Sequence, residues 1–310
     1  MKIVVIGAAG AIGKVVVPVL LARGHHVRVV GRDVGKIPDF GEVERVSADI
    51  ATEDGCARAL AGMDAAIYTL GLPYTKKAFA TYGPMMERFV AAAKRAGVKT
   101  ALLISNVYPY GRPRTPLVAE DHPRVSVSVK GLHRKAQEDA LLAADGPGLR
   151  AISLRLPNFY GPDATASLAH GIFEAARTGG TANLLGPIDT PQEMVFTPDV
   201  GPVIADLLEH PEARGAYNFA GPGHTTFREF TAKVFAAAGK PVKSRVAGRG
   251  MVRVMGLFSS LLRELGEMMY LQETPVLLDD TKLRAFLPGL RKTSYDEGIR
   301  LTLAARPPTG

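Results

Sequence analysis

Two stretches of the chain carry the residue types needed for proton transfer. The first is "SNVYPYG" at residues 105 to 111, which supplies the phenol of Tyr108 directly after an apolar run. The second is "VKGLHRKAQEDALL" at residues 129 to 142, which has helical periodicity and carries Lys135. A phenol hydroxyl can donate or accept a proton, and a nearby cation favours its ionised form. Tyr108 and Lys135 are therefore candidate catalytic residues, provided that the fold brings them together.

A glycine-rich turn near the N-terminus points to a binding function. In "IGAAGAIGKVV" the pattern G-x-x-G-x-x-G follows a strand-like run and precedes a helix-like one. Glycines at such a turn let the backbone approach a pyrophosphate at the helix N-terminus. The same glycines also suit a tight turn with no ligand, and it is the surrounding strand and helix that favour a dinucleotide. The residues assigned to this candidate cofactor site are Gly7, Ala9, Gly10, Ala11, Ile12 and Gly13.

The end of the second predicted strand, "VVGRD", bears on which dinucleotide would bind. A carboxylate here usually bonds the ribose hydroxyls of NAD, whereas Arg32 supplies a cation suited to the 2′-phosphate of NADP. We therefore expect NADP(H) to be preferred, with NAD(H) possible. Two alternatives stay open: Arg32 is a solvated turn residue, or Asp33 is the ribose ligand rather than a cap of the following turn. Asp49, after the third predicted strand, either accepts from the adenine amino group or caps the next helix.

The elements that must position these residues alternate in type along the N-terminal half. Short β-branched runs are separated by segments of helical period, which indicates a parallel sheet covered on both faces. Strands are predicted over 2 to 7, 26 to 31, 43 to 48, 64 to 70, 99 to 105 and 150 to 156, and helices over 10 to 22, 53 to 61, 79 to 96 and 130 to 144. The fold class expected is α/β, a doubly wound parallel-sheet Rossmann fold with a smaller, helix-rich C-terminal substrate-binding part. The predicted NAD(P)-binding domain covers 1 to 157 with later returns near 189 to 220, and the substrate-binding part covers 158 to 188 and 221 to 310.

Composition excludes several other classes of protein. The chain has 310 residues, 46% of them hydrophobic and 22% charged, which suffices for a full core. Its single cysteine, Cys56, excludes an internal disulfide and a multi-thiolate metal site, so no metal is expected. The net charge of +8 comes from lysines and arginines spread along the chain, so we expect an anionic small molecule and no nucleic acid. No apolar run reaches membrane-spanning length and no signal-peptide pattern is present, so we expect a cytoplasmic protein with no membrane partner.

Motifs in the order and spacing of one enzyme family run through most of the chain. They are the glycine turn, "TLG" (69 to 71), "LLISNVYPYG" (102 to 111), Lys135, "RLPNFYGP" (155 to 162), "VFTPDVG" (195 to 201) and "YNFAGPG" (217 to 223). The chain resembles the extended short-chain dehydrogenases/reductases, the NAD-dependent epimerase/dehydratase family, in an atypical form. The resemblance implies redox chemistry on a small-molecule substrate and a possible homodimer through the helices at 79 to 96 and 130 to 144. It places these further residues beside the cofactor: Asp49, Ile50, Leu70, Gly71, Lys135, Pro157 and Asn158.

The family's catalytic arrangement is a serine, a tyrosine and a lysine, and in this chain it is incomplete. The resemblance implies that the tyrosine transfers a proton at the substrate oxygen, while the lysine lowers the tyrosine pKa and binds the nicotinamide ribose. Asn106 stands at or beside the serine position, Ser105 lies one residue early, and Gly131 occupies the tyrosine position four residues before Lys135. Three interpretations remain. Tyr108 replaces the missing phenol, the chain binds a dinucleotide without catalysis, or a non-phenolic side chain serves an isomerisation, dehydration or imine reduction.

The C-terminal half says less about the substrate pocket. By the same resemblance, Asn158 and Tyr160 lie near the substrate. Methionines at helical spacing in "GRGMVRVMGLFSSLLRELGEMMYLQET" predict a pliable pocket wall lined by Met251, Met255, Phe258 and Met268 or Met269, although such a stretch can also touch a membrane surface. We therefore expect an NADP-preferring oxidoreductase acting on a carbonyl, enone or alcohol of a small to medium, fairly apolar substrate. The alternatives are an epimerase, dehydratase or isomerase, and a non-catalytic sensor or assembly protein.

Overall fold

The computed structural model describes residues 1 to 305 as an alternation of strands and helices. The strands are β1 (Lys2–Ile6), β2 (His26–Gly31), β3 (Glu44–Ser47), β4 (Ala65–Tyr68), β5 (Thr100–Asn106), β6 (Arg150–Leu156), β7 (Asn158–Tyr160), β8 (Ala182–Leu185), β9 (Met194–Phe196), β10 (Gly215–Asn218) and β11 (Ser244–Ala247). The helices are α1 (Ala11–Ala22), α2 (Glu53–Leu60), α3 (Lys76–Phe79), α4 (Tyr82–Ala96), α5 (Val129–Leu142), α6 (His170–Thr178), α7 (Thr197–Glu209), α8 (Phe227–Ala237), α9 (Arg249–Met255), α10 (Ser260–Gly266), α11 (Tyr270–Glu273), α12 (Thr281–Phe286) and α13 (Tyr295–Ala304). Within these described residues, no helix is both long enough and apolar enough to cross a membrane.

Seven parallel strands form the central sheet, in the order β3-β2-β1-β4-β5-β6-β10. Successive residues of a strand face opposite sides of a sheet, so the apolar run of β1 is buried on both. Ile3 and Val5 belong to the core shared with α1 and α7, and Val4 and Ile6 to the core shared with α2, α4 and α5. The predicted doubly wound Rossmann fold is confirmed. The homodimer contact through α4 and α5 stays a prediction, because these helices also pack on each other and on the sheet.

A smaller part of the chain is built around an aromatic core. Strand β7 pairs with β9, and β8 pairs with β11, in two separate two-stranded sheets. Helices α6, α8 and α13 surround a cluster that includes Tyr160, Phe173 and Phe230. Strand β10 instead joins the main sheet beside β6. The limits predicted for the two domains stay predictions.

Side-chain caps fix where two helices near the sheet edge begin. Ser128 Oγ accepts from Gly131 N at 3.1 Å at the start of α5, and Thr52 Oγ1 accepts from Gly55 N at 3.0 Å at the start of α2. Such caps satisfy backbone N–H groups that have no partner inside the helix. Helix α1 differs because Gly10, at its N-cap, has no side chain to offer.

Candidate cofactor and active site

The strand order creates a crevice at the carboxyl ends of β1 and β4. The chain winds outward from β1 through β2 to β3 and then returns to β4 on the other side of β1. In doubly wound sheets, ligands bind at this reversal, outside the carboxyl ends of the strands. The segments that follow β1, β4 and β5, at 7 to 10, 69 to 71 and 107 to 110, border the crevice. Leu70 is half-buried there and Gly71 is exposed.

The turn after β1 is packed too closely to accept side chains at two of its glycines. Gly7 has φ +91°, and a Cβ on it would lie 2.8 Å from Thr69 Oγ1 and 2.9 Å from Leu70 N. A Cβ on Gly13 would lie 2.5 Å from the Gly7 carbonyl oxygen. Thr69 Oγ1 in turn donates to the carbonyl oxygens of Ile6 and Gly7, at 2.9 and 3.1 Å. These contacts hold the first turn of α1 directly against the ends of β1 and β4.

The first turn of α1 is suited to an anion. No side chain accepts from the N–H groups at its N-cap, and the turn contains no acidic residue. Ala9 and Gly10 are exposed and Ala11 is half-buried, while Ile12 and Gly13 are buried beneath them. Backbone N–H groups and the positive end of the helix dipole both attract a phosphate. The residues present therefore fit the pyrophosphate of a dinucleotide.

At the end of β2, Arg32 is exposed and its neighbouring carboxylate is otherwise engaged. Asp33 Oδ1 accepts from Gly35 N at 3.0 Å, and Asp33 Oδ2 lies 3.8 Å from Lys36 Nζ. Asp33 thus caps the following turn, as one of the two alternatives predicted. The guanidinium of Arg32 pairs with no acidic side chain among residues 1 to 305.

Asp49 closes a turn just before α2 and does not cap that helix. Its Oδ1 accepts from Ala51 N at 3.0 Å, whereas the N-cap of α2 is Thr52. The alternative that Asp49 caps α2 is therefore wrong. The cap lies three residues later, at Thr52, because its hydroxyl reaches the N–H groups of the first turn of α2. Ile50 is buried in the core below. An adenine contact for Asp49 stays a prediction.

Two phenol hydroxyls meet beyond the ends of β4 and β5. The hydroxyl oxygens of Tyr108 and Tyr74 lie 3.5 Å apart, and Asn106 Oδ1 accepts from Tyr108 N at 3.1 Å. Burial raises the pKa of Tyr108, and this rise outweighs the opposing hydrogen bond from Tyr74 and the charges of Arg134 and Lys130. The Tyr108 phenol is therefore protonated at neutral pH.

The two polar residues at the end of β5 play different parts. Ser105 is buried, and its hydroxyl has no hydrogen-bond partner in the described part of the chain. Asn106 is half-buried, and it orients the backbone of Tyr108. Consecutive strand residues point to opposite faces, so the two side chains do not converge on one site. Of the pair, only Asn106 contacts the loop that carries the phenol.

The space beside Gly131 is filled by the Tyr108 loop. A Cβ on Gly131 would lie 2.0 Å from Ser126 Oγ and 2.7 Å from the Tyr108 carbonyl oxygen. A tyrosine side chain therefore has no room at Gly131, the position where the sequence analysis expected the family's tyrosine. The Tyr108 contact is made by its backbone carbonyl oxygen, and the assignment of Gly131 to the tyrosine position stays a prediction.

Two buried cations of α5 were missed by the sequence analysis. Lys130 and Arg134 are spaced by four, so they share one face of the helix, and they are 0% and 6% exposed. Arg134 Nη2 donates to the Ile104 carbonyl oxygen of β5 at 2.8 Å, and its guanidinium lies 4.7 Å from the Tyr82 ring centroid. They stand one residue before the expected Gly131 and Lys135 pair. The sequence did contain a signal for them: Lys130 and Arg134 have the same i, i+4 spacing as Gly131 and Lys135, shifted by one residue towards the N-terminus.

Lys135 does not lie where it was predicted to act. Its side chain is 35% exposed, and Nζ pairs with Asp139 Oδ2 at 2.6 Å on the same helix. One residue of an α-helix corresponds to a rotation of about 100°, which carries Lys135 away from the face of Arg134. The expectation that Lys135 acidifies Tyr108 is corrected: the cations acting on this phenol are Arg134 and Lys130. Ribose binding by Lys135 stays a prediction.

The C-terminal segment closes over the phenol pair through charged contacts. Lys130 Nζ forms ion pairs with Glu264 and, at 2.9 Å, with Glu267, and it lies 5.0 Å from the Tyr74 ring centroid. The Tyr270 hydroxyl donates to the Tyr108 carbonyl oxygen at 3.4 Å. Two carboxylates neutralise the Lys130 ammonium, so this lysine positions α5 against the segment that covers the site.

The predicted substrate residues after β6 are divided between core and site edge. Tyr160 is fully buried with its ring 5.1 Å from that of Phe230, and its hydroxyl has no partner within residues 1 to 305. Its assignment to the substrate pocket is wrong, since aromatic packing takes up all of its surface. Asn158 is half-buried, and its Nδ2 donates to Gln192 Oε1 at 3.2 Å. Pro157 is buried.

The predicted methionine wall is also wrong in most of its members. Met251, Met255 and Phe258 are 55%, 44% and 89% exposed, respectively. Met268 and Met269 are buried. A helical period shows that residues share a face but not which way that face points. Here the short helices α9 and α10 turn most of these side chains outward.

A buried carboxyl beside β9 makes stability depend on pH. Glu193 accepts from Leu278 N at 2.7 Å and from Gly221 N at 3.3 Å, but burial raises its pKa from 4.5 to about 8. The folded protein therefore holds this proton more tightly than the unfolded chain. The stabilising contribution is fully present below about pH 4.5 and is lost as the pH rises through about 8. We expect the Tm to fall across that window, as measured by thermal melts at a series of pH values.

Glu193→Gln is the control for this pH dependence. The variant cannot titrate, so its Tm should vary less with pH than that of the wild type. Its absolute Tm should be lower, because the amide NH₂ replaces one of two oxygens that accept backbone N–H groups. The slope of Tm against pH is therefore the informative quantity. An identical slope in both proteins would assign the pH dependence to another group.

Comparison with known proteins identifies the class. A family model described as NAD(P)H-binding matches residues 7 to 180, which is more than half of the chain. The chain belongs to this NAD(P)H-binding family. The predicted resemblance to the extended short-chain dehydrogenases/reductases is confirmed.

The similar proteins include dehydrogenases, reductases and epimerases. A 3 beta-hydroxysteroid dehydrogenase/Delta 5→4-isomerase of Mycobacterium tuberculosis is 30% identical over 116 residues, which cover 34% of this chain and only 31% of that protein. A 2′-dehydrokanamycin reductase of Streptomyces kanamyceticus is 26% identical over 249 residues, covering 78% of this chain and 68% of the reductase. The structure of a Thermus thermophilus UDP-glucose 4-epimerase in complex with NAD has a TM-score of 0.81, 24% identity and 98% coverage of both chains, and it shows the shared fold.

Proposed function

We propose that the protein is an NADP(H)-dependent reductase that adds a hydride and a proton to a carbonyl or conjugated enone. The observation that carries this proposal is the pair of phenol hydroxyls of Tyr108 and Tyr74, 3.5 Å apart beyond β4 and β5. The glycine turn at 7 to 13 follows β1, the neighbour of β4 in the sheet. Tyr74 thus follows the strand next to the glycine turn, and Tyr108 follows β5, one strand further along the sheet.

The chain's own residues divide the work. When bound, the dinucleotide supplies hydride to the electrophilic carbon of the substrate. Backbone N–H groups at the start of α1 hold its pyrophosphate, and Arg32 pairs with the 2′-phosphate. Tyr108 donates its phenol proton to the substrate oxygen, while Asn106 and Arg134 hold the Tyr108 loop and α5 in place through the contacts described above.

The phenols can act as proton donors. Burial raises the pKa of Tyr108 and of Tyr74, so both hydroxyls carry protons at neutral pH. Reduction of a carbonyl needs a proton donor, whereas oxidation of an alcohol needs a base. The same phenol in its ionised form would serve alcohol oxidation or epimerisation, which stay the alternatives to reduction.

The side chains around the hydroxyl pair suggest a substrate with a ring or other flat apolar face. The rings of Tyr74, Phe79 and Tyr270 lie close to the pair or to Lys130. Aromatic rings offer large apolar contact area, and a phenol hydroxyl adds one hydrogen bond at its edge. We propose a small to medium carbonyl compound of mixed polarity, in place of the fairly apolar substrate expected from a methionine wall.

A second candidate function is cofactor binding without turnover. The observation in its favour is that Lys130, the buried lysine nearest the phenols, is neutralised by Glu264 and Glu267. Binding of NADPH with no reduction of any carbonyl or enone would support a sensor or assembly role.

Direct titration with NADPH and NADH tests the cofactor proposal. The chain has no tryptophan, so cofactor fluorescence can be followed with little protein background. We expect saturable binding that favours NADPH, and we expect Arg32→Ala to weaken NADPH binding about 10- to 100-fold, the loss of a charge-assisted contact. NADH binding should change little, because NADH lacks the 2′-phosphate.

Arg32→Lys is the matched variant for this titration. It keeps the charge but loses the planar fork, so its NADPH affinity should lie between those of wild type and Arg32→Ala. Equal losses for NADPH and NADH in Arg32→Ala would contradict 2′-phosphate recognition. Absence of binding to either cofactor in the wild type would overturn the proposed function.

A further inference from the structure

Helices α9 and α10 carry an exposed apolar surface. We call it the apolar tip, and its members, with their exposed fractions, are Met251 (55%), Val254 (60%), Met255 (44%), Leu257 (74%), Phe258 (89%) and Leu261 (57%). The two most exposed side chains, Leu257 and Phe258, lie in the turn between the helices. Contiguous exposed apolar surface on a protein marks a site of interaction.

Most of the charge around the apolar tip is positive, although Arg249 forms an ion pair with Glu273 at 3.0 Å. From residue 244 to residue 263 the chain contains no Asp or Glu. The arginines in this stretch are Arg245, Arg249, Arg253 and Arg263. The next acidic residue, Glu264, is turned inward to the ion pair with Lys130. Arginines beside exposed apolar side chains are complementary to a surface that has an apolar interior and anionic groups at its boundary with water.

A cavity between the two helices has the same dual character. Its volume is about 530 Å³. Apolar side chains of Val252, Leu257, Leu262 and Met269 line it together with three of the arginines, Arg249, Arg253 and Arg263. A hydrocarbon chain with an anionic group at one end is the ligand chemistry that such a lining fits.

The charge pattern argues against a second copy of the chain on this face. In a two-fold contact the same patch meets itself, so its arginines would face arginines. Like charges brought together in a contact cost several kcal/mol across an interface. An anionic lipid surface avoids this repulsion and accepts the apolar side chains between its head groups.

We propose that the apolar tip docks the protein on an anionic lipid bilayer. Leu257 and Phe258 enter the interface, and Arg245, Arg253 and Arg263 lie at the level of the lipid phosphates. This peripheral contact goes beyond the proposed reductase activity, and it departs from the expectation of no membrane partner. It does not depend on whether the protein reduces a carbonyl, since vesicle binding is measured without cofactor or substrate.

Flotation of the full chain with lipid vesicles tests the proposal. We expect binding to vesicles of phosphatidylcholine mixed with phosphatidylglycerol, and much weaker binding to phosphatidylcholine alone. A variant with Leu257→Ser and Phe258→Ser should bind the anionic vesicles about tenfold less tightly, because apolar burial drives insertion. Arg253→Glu should cost about tenfold or more through reversed charge, and this loss should shrink as salt is added.

Two variants elsewhere serve as matched controls. Leu132→Ser removes an apolar side chain that is 54% exposed on α5, and Arg95→Glu reverses an exposed charge on α4. Both should bind vesicles as the wild type does. Wild-type binding by the tip variants, equal binding to neutral and anionic vesicles, or no vesicle binding at all would each overturn the proposal. A further contradicting outcome is a wild type that does not bind vesicles but self-associates, as seen by light scattering, with tip variants that do not self-associate.

Discussion

Replacing Tyr108 with phenylalanine is expected to lower kcat for carbonyl reduction by a factor of about 10² to 10⁴, the contribution of a positioned general acid. The substitution removes only the hydroxyl that lies 3.5 Å from that of Tyr74 and keeps the aromatic ring. NADPH affinity should be nearly unchanged, because the glycine turn and Arg32 belong to other strands. Turnover is measured from NADPH consumption over a panel of ketones and enones, and affinity from cofactor fluorescence.

Tyr74→Phe is the matched control for Tyr108→Phe. It deletes the same group 3.5 Å away, and it should slow reduction by only about fivefold, the equivalent of one neutral hydrogen bond. The opposite ranking, with Tyr74→Phe the more damaging change, would make Tyr74 the donor. Full activity in both variants would refute a phenolic proton donor at this place.

A tyrosine placed by Gly131→Tyr, where the resemblance puts the family's tyrosine, is expected to damage the protein and not to improve it. A Cβ at this position already comes within 2.0 Å of Ser126 Oγ and 2.7 Å of the Tyr108 carbonyl oxygen. Overpacking by a methyl group or two typically costs about 1–3 kcal/mol of unfolding free energy, and a phenol adds far more volume. Activity should also fall, because the Tyr108 backbone must move. Chemical denaturation and NADPH turnover measure the two effects.

Smaller substitutions separate the contacts at Gly131. Gly131→Ala should lower the unfolding free energy by about 1–3 kcal/mol. Adding Ser126→Ala removes the contact with Ser126 Oγ but leaves those with the Tyr108 carbonyl and with Ser128 Oγ, so the double variant should recover part of the stability and less of the activity. A Gly131→Ala protein with wild-type stability and rate would show that the Tyr108 loop moves aside at little cost in free energy. The close packing would then not explain why this position carries no tyrosine.

The parts of the site that follow from local sequence were predicted well. The turn containing Gly7 and Gly13 needs residues without a Cβ, and the strand and helix beside it have clear periodicities. Asp33 similarly caps the turn within its own segment. Such features depend on residues a few positions apart, so the chemical types and spacing suffice to place them.

The parts of the site that depend on long-range packing were predicted poorly. An offset of one residue on α5 separates Lys135, which pairs with Asp139, from the buried Lys130 and Arg134. Lys130 is held by carboxylates more than 130 residues away in sequence. Helical spacing identified apolar side chains at Met251 and its neighbours without showing that their face is exposed.

The amino-acid sequence by itself determined the doubly wound sheet and the glycine turn, and it raised the question of where a catalytic phenol lies. Alternating periodicities and residues of unusual conformational freedom act over short distances, and they are legible along the chain. Only the tertiary structure decided which face of α5 points inward, that the Tyr108 loop fills the place beside Gly131, and that the apolar tip faces outward. These outcomes depend on which distant surfaces pack together, and rotation of a helix by one residue exchanges a buried cation for an exposed one.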